Sequence, residues 1–252
     1  MERRENHKLR PKKKSNFVYG YHAVMEALEN GKSFEKIFIQ KGIAEEKAKS
    51  VSKKSRELAI PVSRVPIEKL NRISRKNHQG IIGFGSPIEY QPLEQLIPLI
   101  YEKGESPFFV ILDEVTDVRN FGAIARTAEA MGVHALIIPL KRSANVNEDA
   151  IKTSAGVLNY LPVCRVHSLK ETVQFLKESG IQLIACTEKG EDDLLALKVQ
   201  GPRAIVLGSE ENGIHPNLLK DCDFQTRISM PGKIQSLNVS VAAGIVIHHF
   251  SS

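Results

Sequence analysis

Residues 17–88 alternate short apolar stretches with amphipathic ones. Phe34 to Gln40 alternates apolar and polar positions, which predicts a half-buried strand. Two further strands are predicted at Ile60 to Val65 and Ile81 to Phe84, and residues 43–59 are predicted to form a charged helix. Residues 19–24 are predicted to lead into a helix that ends near the stop signal Asn30-Gly31. Another helix is predicted from Pro66, a residue favoured at the first helical position, to about Arg75. This alternation predicts a compact three-layer α/β unit.

Residues 89–107 separate this unit from the next. Pro92, Pro98 and Pro107 interrupt the stretch, and prolines at this density are typical of linkers. One short helix is predicted inside it, from Leu93 to Glu102. The chain is therefore predicted to consist of domains 17–88 and 108–252 joined by a linker.

The second unit repeats a strand–helix pattern. Phe108 to Leu112 is a continuous apolar run, which indicates a strand buried on both faces, as in a parallel sheet. A helix follows from Asn120 to Met131, with its buried face marked by apolar residues at helical spacing. Further strands are predicted at Val133–Pro139, Ile181–Cys186 and Arg203–Leu207, with helices over residues 149–157, from Ser168 to Gly180, and at the C-terminal end. The predicted fold is an α/β parallel sheet with helices on both faces, which binds ligands at the carboxyl ends of its strands.

Composition excludes several classes of protein. Hydrophobic residues make up 42% of the 252 residues, which is enough for a sizeable core. No apolar run approaches the roughly 20 residues that cross a bilayer, and the N-terminus lacks the apolar core of a secretory signal. Cys164, Cys186 and Cys222 are far apart and form no C-x-x-C pair, so no disulfide framework, zinc site or other metal is expected. A cytoplasmic location without a membrane partner is predicted.

The basic charge is concentrated at the N-terminus. The net charge is +6, and residues 1–16 carry seven Lys and Arg against two Glu, or +5. We predict a disordered basic tail that suits a polyanion such as RNA, or alternatively a solubilising leader. A second basic cluster, Arg72, Arg75, Lys76 and His78, is not balanced by acids and is another candidate for RNA binding.

Common enzyme signatures are absent from the sequence. No G-x-G-x-x-G follows a predicted strand, and no P-loop or G-x-S-x-G elbow occurs. His248 and His249 lie on different faces of a helix and do not have the spacing of a metal site.

Three polar clusters remain, each at a predicted strand end or helix start. They are Asn120-x-Gly122-x-x-x-Arg126, then Gly208-Ser209-Glu210-Glu211-x-Gly213, then Ser236-Leu237-Asn238-Val239-Ser240-Val241-Ala242. Taken singly, Arg126 could be a salt-bridged structural residue and Glu210 a solvated turn residue. Three clusters at equivalent positions favour a single site instead.

The three clusters resemble, in order and spacing, the three motifs of the SpoU (TrmH-type) RNA ribose 2′-O-methyltransferases of the SPOUT class. GYHAVMEAL and HQGII in the N-terminal unit resemble the substrate-binding domain of the RlmB-like branch. The resemblance covers the chain apart from its basic tail. It implies a C-terminal domain tied in a trefoil knot, a homodimer, and S-adenosyl-L-methionine (AdoMet) as the cofactor.

The resemblance also implies roles for particular residues. Residues matching the catalytic and substrate-orienting positions of the family are Asn120, Arg126, Glu210, Ser236 and Asn238. Residues matching its cofactor pocket are Thr187, Leu207, Gly208, Ile228, Met230 and Leu237. Arginine titrates far above neutral pH, so we expect Arg126 to act as a cation beside a phosphate or an oxyanion, with the general base left open.

The sequence departs from the family pattern at two places. Glu114 and Val118 replace the commoner Gly and Pro of the first motif, and Ser229 follows Ile228 where Pro is usual. The resemblance implies methylation of a guanosine in large-subunit rRNA. Methylation of tRNA and a non-catalytic role in RNA binding or ribosome assembly remain alternatives.

Overall fold

A computed structural model describes residues 17–234 and 236–251 of the chain. The basic tail, residues 1–16, lies outside the described residues, so its predicted disorder is not tested. The strands are β1 (Phe17–Tyr19), β2 (Phe34–Gln40), β3 (Val62–Val65), β4 (Ile81–Gly85), β5 (Phe108–Leu112), β6 (Ala135–Pro139), β7 (Val163–Val166), β8 (Gln182–Cys186), β9 (Asp192–Asp193), β10 (Arg203–Leu207) and β11 (Phe224–Arg227). The helices are α1 (Tyr21–Glu29), α2 (Glu45–Glu57), α3 (Ile67–Ile73), α4 (Leu93–Glu102), α5 (Val118–Ala130), α6 (Glu148–Thr153), α7 (Leu169–Glu178), α8 (Pro216–Asp221) and α9 (Val239–Phe250).

The N-terminal unit has the predicted three layers. Its sheet has the order β1-β4-β2-β3, with β2 and β3 parallel and the other pairs antiparallel. Helices α1 and α2 bury Val24, Leu28 and Val51 on one face, and α3 buries Leu70 on the other. Strand β1 was not predicted, because three residues are too few to show a period. Helix α3 ends at Ile73 and not at Arg75, and Pro66 is its N-cap in extended conformation.

The C-terminal unit is built on a parallel sheet, as predicted. Seven strands lie in the order β7-β6-β5-β10-β8-β11-β9, and every neighbouring pair is parallel. Helices α5, α6 and α9 contribute to the hydrophobic core on one face, and α4, α7 and α8 to the core on the other. Strands β7, β9 and β11 and helix α8 were not predicted.

The segment predicted as a linker contributes to this second core. Its helix α4 has the predicted bounds, and Leu93, Ile97 and Ile100 are buried against the sheet. Tyr90 forms a parallel bridge with Val163 at the sheet edge. Much of the segment 89–107 therefore packs against the C-terminal sheet.

A buried polar junction connects the two sheets. Arg165 in β7 is 8% exposed and donates from Nη2 to the carbonyl of Phe34 at 2.7 Å. Its guanidinium lies 3.8 Å from the centre of the Tyr90 ring, and Tyr90 donates to the Glu35 carboxylate at 2.6 Å. Glu35 also accepts from Ser86 Oγ at 2.7 Å and from the amide of Val146 at 3.2 Å. We call these groups the inter-sheet junction.

Strand order determines where a ligand can bind. Strand β10 lies between β5 and β8, so the carboxyl ends of three strands far apart in sequence meet at one edge. Where the strand order of an open parallel sheet reverses in this way, from β7-β6-β5 on one side to strands later in the chain on the other, a crevice forms at the carboxyl edge. Among the described helices, the longest apolar stretches are too short to span a membrane.

Candidate active site

Three predicted residues meet at the carboxyl edge of the sheet. Asn120 Nδ2 donates to Glu210 Oε1 at 3.1 Å, and Asn238 Nδ2 donates to the same oxygen at 2.5 Å. Asn238 Nδ2 also lies 3.1 Å from Asn120 Oδ1. The three residues come from the three polar clusters of the sequence, and we call them the amide–carboxylate cluster.

Helix termini hold the two asparagines in place. Asp117 is the N-cap of α5, and its carboxylate accepts from the amides of Arg119 at 2.7 Å and Asn120 at 3.1 Å. Asn238 is the N-cap of α9, where its Oδ1 accepts from the Ser240 amide at 3.0 Å. The Val239 amide at the start of α9 donates to Glu210 at 3.3 Å. A carboxylate at the positive end of a helix is electrostatically favoured, so α9 helps to hold Glu210.

A tight loop presents Glu210. Ser209 and Gly213 exchange backbone hydrogen bonds of 3.1 and 3.0 Å, which folds residues 209–213 back onto the end of β10. A Cβ atom placed on Gly208 would lie 2.0 Å from the carbonyl carbon of Gly213. Position 208 therefore requires glycine for this loop to close.

A cavity of about 370 Å³ opens beside the cluster. All six residues predicted to bind the cofactor line it, namely Thr187, Leu207, Gly208, Ile228, Met230 and Leu237. Predicted catalytic residues Glu210 and Ser236 line it as well. Its volume falls within the range of small-molecule sites, and it combines apolar side chains with a polar loop. These features fit a molecule such as AdoMet, which has a flat heterocycle and a charged amino-acid end.

The departure at Ser229 has a local explanation. Ser229 Oγ donates a short hydrogen bond to Asp193, which lowers the pKa of that carboxyl. Proline at this position would offer no hydroxyl. The contact connects the loop after β11 to β9, and Met230 still lines the cavity.

Arg126 does not join the amide–carboxylate cluster. It lies on α5 six residues after Asn120, and its side chain is exposed. Within the described residues it forms no hydrogen bond or ion pair. The alternative of a salt-bridged structural arginine is therefore not supported.

Several residues around the site were not predicted. Ser240 Oγ donates to Asn238 Oδ1 at 2.5 Å, and Glu188 and Lys189 line the cavity. Asp117 was missed as a helix cap because the sequence placed the start of the helix at Asn120. The signal was present: an aspartate three residues before Asn120 is a typical N-cap.

Two ionisable groups near the site are affected by burial. Burial raises the pKa of Cys186, which lines the cavity, to about 11, so its thiol is neutral at physiological pH. Burial also raises the pKa of Asp113, which follows β5 and accepts from the amide of His215 at 2.8 Å. Among the described residues, no group of three or more His, Cys, Asp or Glu side chains has the arrangement of a metal site.

The N-terminal sheet carries a basic aromatic face. The rings of Phe17 and Phe38 each contact that of Phe84 edge to face, at centroid distances of 4.9 and 5.0 Å. Phe38 is buried, and Phe17 and Phe84 are partly buried. The ammonium groups of Lys36 and Lys69 lie 5.0 and 4.8 Å from the nearest of these ring centroids. That of Lys76 lies 5.4 Å from the centroid of a further ring of this face, Tyr19. His78 of the predicted basic cluster is instead buried, bonded to Asn71 at 2.9 Å and to the Gly80 amide at 3.1 Å. Its inclusion in an RNA-binding cluster was wrong, because its ring holds a turn.

Comparison with known proteins identifies relatives across most of the chain. Residues 107–248 match the SpoU rRNA methylase family, and residues 17–91 match the substrate-binding domain of RNA 2′-O ribose methyltransferases. The Bacillus subtilis protein YacO, which is named as a TrmH family tRNA/rRNA methyltransferase, is 34% identical over 92% of this chain and 94% of its own length.

Solved structures show the same fold. An AdoMet-bound rRNA methyltransferase from Sinorhizobium meliloti is 23% identical, covers 92% of this chain and 85% of its own, and gives a TM-score of 0.59. The SpoU methyltransferase AviRb from Streptomyces viridochromogenes, also solved with AdoMet, is 22% identical over 92% of this chain and 88% of its own, with a TM-score of 0.58. The resemblance seen in the three sequence motifs is confirmed, and the chain belongs to the SpoU rRNA methylase family.

Proposed function

We propose that this protein transfers a methyl group from AdoMet to a ribose 2′-hydroxyl of RNA, in particular to a guanosine of large-subunit rRNA. The observation that carries the proposal is the amide–carboxylate cluster at the mouth of a cavity lined by all six predicted cofactor residues. Three chain segments converge there, as a site for two substrates requires.

The reaction needs the ribose oxygen in line with the methyl group, so positioning does much of the catalysis. Bound AdoMet supplies the electrophilic methyl group. Asn120, Glu210 and Asn238 form a preorganised set of donors and acceptors that we propose orients the ribose hydroxyl. Ser236 lines the cavity on the same side.

Arg126 is proposed to contact the RNA from outside the amide–carboxylate cluster. Its exposed position on α5 leaves the guanidinium free to contact a phosphate or to stabilise a developing oxyanion. Arg126→Ala is expected to abolish methyl transfer while AdoMet binding, measured by calorimetry, is retained. Full activity in this variant would refute the assignment.

A homodimer is proposed from the face that α9 presents. Val241 and Ile245 in α9 are 51% and 40% exposed, and Leu195 nearby is 78% exposed. Leu195 and Ile245 line one apolar groove of about 820 Å³. A second copy would cover these side chains. Ile245→Glu is expected to yield monomers in size-exclusion chromatography with light scattering.

The division into an RNA-binding domain (17–88), a linker (89–107) and a methyltransferase domain (108–252) is also a proposal, as are the trefoil knot and a cytoplasmic location. The basic aromatic face supports an RNA-binding role for the first domain. Aromatic rings and cations together are the usual means of holding single-stranded RNA. Removing residues 1–16 should flatten the salt dependence of RNA binding if the tail also contacts phosphates.

The decisive experiment is transfer of labelled methyl from AdoMet to purified rRNA and, separately, to tRNA. The modified nucleotide is then mapped by digestion and mass spectrometry. Label on the ribose of an rRNA guanosine supports the proposal in full, and label on tRNA supports the same chemistry on the alternative substrate. Label on neither RNA would favour a non-catalytic RNA-binding protein.

A further inference from the structure

A polar cleft of about 240 Å³ adjoins the amide–carboxylate cluster. Asn120 lines it, together with Arg142 after β6 and four carboxylates, those of Glu114, Asp117, Glu210 and Glu211. Among these residues, the guanidinium of Arg142 is the group that can bind an anion. The family resemblance gives no role to Glu114 or Arg142. Glu114 was noted in the sequence only because it stands where the family commonly has glycine.

The backbone explains why glycine is common at position 114. Glu114 has φ +57°, and Arg142 has φ +59°, so both lie in the left-handed region. Residues with a side chain are disfavoured there, and such conformations collect at functional sites where surrounding contacts hold them in place. Two strained residues facing each other across one cleft call for an explanation.

The two side chains are bonded to each other. Arg142 Nη1 donates to Glu114 Oε1 at 2.6 Å, a short charge-assisted contact that raises the pKa of the arginine further. The Glu114 side chain is 26% exposed, whereas that of Arg142 is 73% exposed. The carboxylate therefore acts as an anchor within the cleft wall, and the guanidinium is accessible to solvent.

In this orientation, the Arg142 guanidinium keeps N–H donors free to bind a ligand in the cleft. A guanidinium has five N–H donors, and the bond to Glu114 uses one of them. Arginine binds phosphate through paired donors, and RNA places a phosphate on either side of every ribose. A ribose held by the amide–carboxylate cluster would bring a neighbouring phosphate to the polar cleft.

We propose that Arg142 binds a phosphate of the RNA strand next to the target ribose, and that Glu114 is the positioning residue that holds Arg142 there. This inference rests on the proposed methyl transfer to RNA. It gives a chemical reason for a glutamate where glycine would be less strained: glycine cannot anchor the arginine.

Three variants of the full chain test the pair. Arg142→Gln removes the proposed phosphate contact. Glu114→Gly relieves the backbone strain and removes the anchor. Lys141→Gln removes one positive charge from the neighbouring exposed residue, which does not line the cleft, and is the matched control. A short rRNA fragment labelled with a fluorophore serves as the binding probe, and urea unfolding and AdoMet calorimetry are recorded for each protein.

We expect Arg142→Gln to weaken RNA binding about tenfold and to lower the slope of log K against log salt by about one, as for the loss of one phosphate contact. AdoMet affinity should not change. Glu114→Gly should weaken RNA binding in the same direction while its urea midpoint stays level or rises. A purely structural ion pair would give the opposite combination, with a lower midpoint and unchanged RNA binding. Lys141→Gln should alter RNA binding less than twofold.

The outcomes separate this inference from the proposed function. Normal RNA binding and KM for RNA in both Arg142→Gln and Glu114→Gly would overturn the inference, even if the wild type methylates RNA. If the wild type binds RNA but transfers no methyl group, and Arg142→Gln still binds tenfold more weakly, the phosphate contact stands and the proposed reaction fails. A wild type that binds no RNA would overturn both.

Discussion

Two carboxylates, Glu35 and Glu210, each collect several hydrogen bonds, but in contrasting surroundings. Glu35 accepts from Tyr90, Ser86 and a backbone amide inside the inter-sheet junction, under the buried guanidinium of Arg165. Glu210 accepts from two side-chain amides and one backbone amide at the solvent-exposed mouth of a cavity. Each carboxylate accepts three hydrogen bonds, but Glu35 is partly buried and Glu210 is exposed.

The difference in burial indicates which polar cluster stabilises the fold and which can bind a ligand. Buried polar groups need hydrogen-bond partners, or the fold loses free energy, and the junction pairs most of its groups; among the described residues, the buried Nε of Arg165 has no partner. Stability therefore accounts for the junction. An exposed cluster can exchange its bonds for water at little cost, and stability does not explain why three distant segments converge on Glu210. The first cluster holds the units together, and the second is available to a ligand.

The largest effect is expected from a substitution that separates the two roles of Asn238, which caps α9 and donates to Glu210. Asn238→Asp keeps an acceptor for the Ser240 amide but replaces the donor to Glu210 with a second carboxylate. We expect methyl transfer to fall by roughly 10²–10³-fold, the usual cost of losing one preorganised donor. The urea midpoint should change little, because aspartate is also a good N-cap. Asn217→Ala, which alters an exposed asparagine on α8, is the control and should retain full activity. Near-normal activity in Asn238→Asp would mean that the cluster does not take part in the reaction.

The junction should show the reverse pattern. Arg165→Met keeps much of the side-chain volume and leaves the carbonyl of Phe34 without its donor. We expect a loss of roughly 2–3 kcal/mol in the free energy of unfolding, as for an unsatisfied buried group. Arg64→Met is the matched control, since Arg64 forms an exposed ion pair with Glu45 at 3.3 Å, and exposed pairs contribute little to stability. Urea titrations compare the variants; equal losses in both would contradict the contrast between buried and exposed clusters.

Asp113 provides a pH-dependent test on a carboxyl that is buried but accepts few hydrogen bonds. Its side chain is buried but accepts from a single backbone amide, and burial raises its pKa in the folded protein. The stability that it contributes is present below the unfolded pKa and is lost as pH rises through the folded pKa. Asp113→Asn keeps the acceptor, so its stability relative to the wild type should increase between pH 4 and 7.

The control for Asp113 has the opposite sign. The amides of Asn120 and Arg119 lower the pKa of Asp117, so its contribution is present above the unfolded pKa and is lost as pH falls through the folded pKa. Relative to the wild type, Asp117→Asn should therefore lose stability as pH rises towards about 4, and the difference should stay constant above that pH. Melting temperatures at several pH values measure both; parallel curves for the two variants would rule out this assignment.

The smallest effect concerns Cys186. Because its pKa is about 11, alkylation by iodoacetamide should be slow at pH 7 and accelerate steadily towards pH 10. AdoMet should slow the reaction further, since Cys186 lines the cavity. Mass spectrometry of the labelled peptide measures the rate, and Cys222, outside the cavity, provides the comparison. Equal protection of both thiols by AdoMet would argue against a ligand in this cavity.

Elements with a continuous apolar run, and recurring motifs, could be predicted from the sequence. Five consecutive apolar residues from Phe108 to Leu112 indicated a strand buried on both faces, and the structure has that strand. Elements without such a pattern, such as β9 and α8, could not be predicted, because their residues are held by neighbours from elsewhere in the chain.

The site was predicted as a set of positions without its contacts. Sequence reasoning named Asn120, Glu210 and Asn238 together, but not that both amides bond to one carboxylate oxygen. It also could not show the left-handed backbone at Arg142, which no residue type signals. Distances between remote segments depend on packing, which local patterns do not contain.

Sequence separation within the amide–carboxylate cluster has a consequence for synthesis. Asn120 and Asn238 are 118 residues apart, and Asn120 and Glu210 are 90 apart. A ribosome-bound chain that has exposed α5, and even the whole parallel sheet, still lacks the Asn238 amide until α9 has left the exit tunnel. Local helices form early and distant contacts form late. The nascent polypeptide is therefore expected to stay inactive towards RNA near its own ribosome until translation has passed α9.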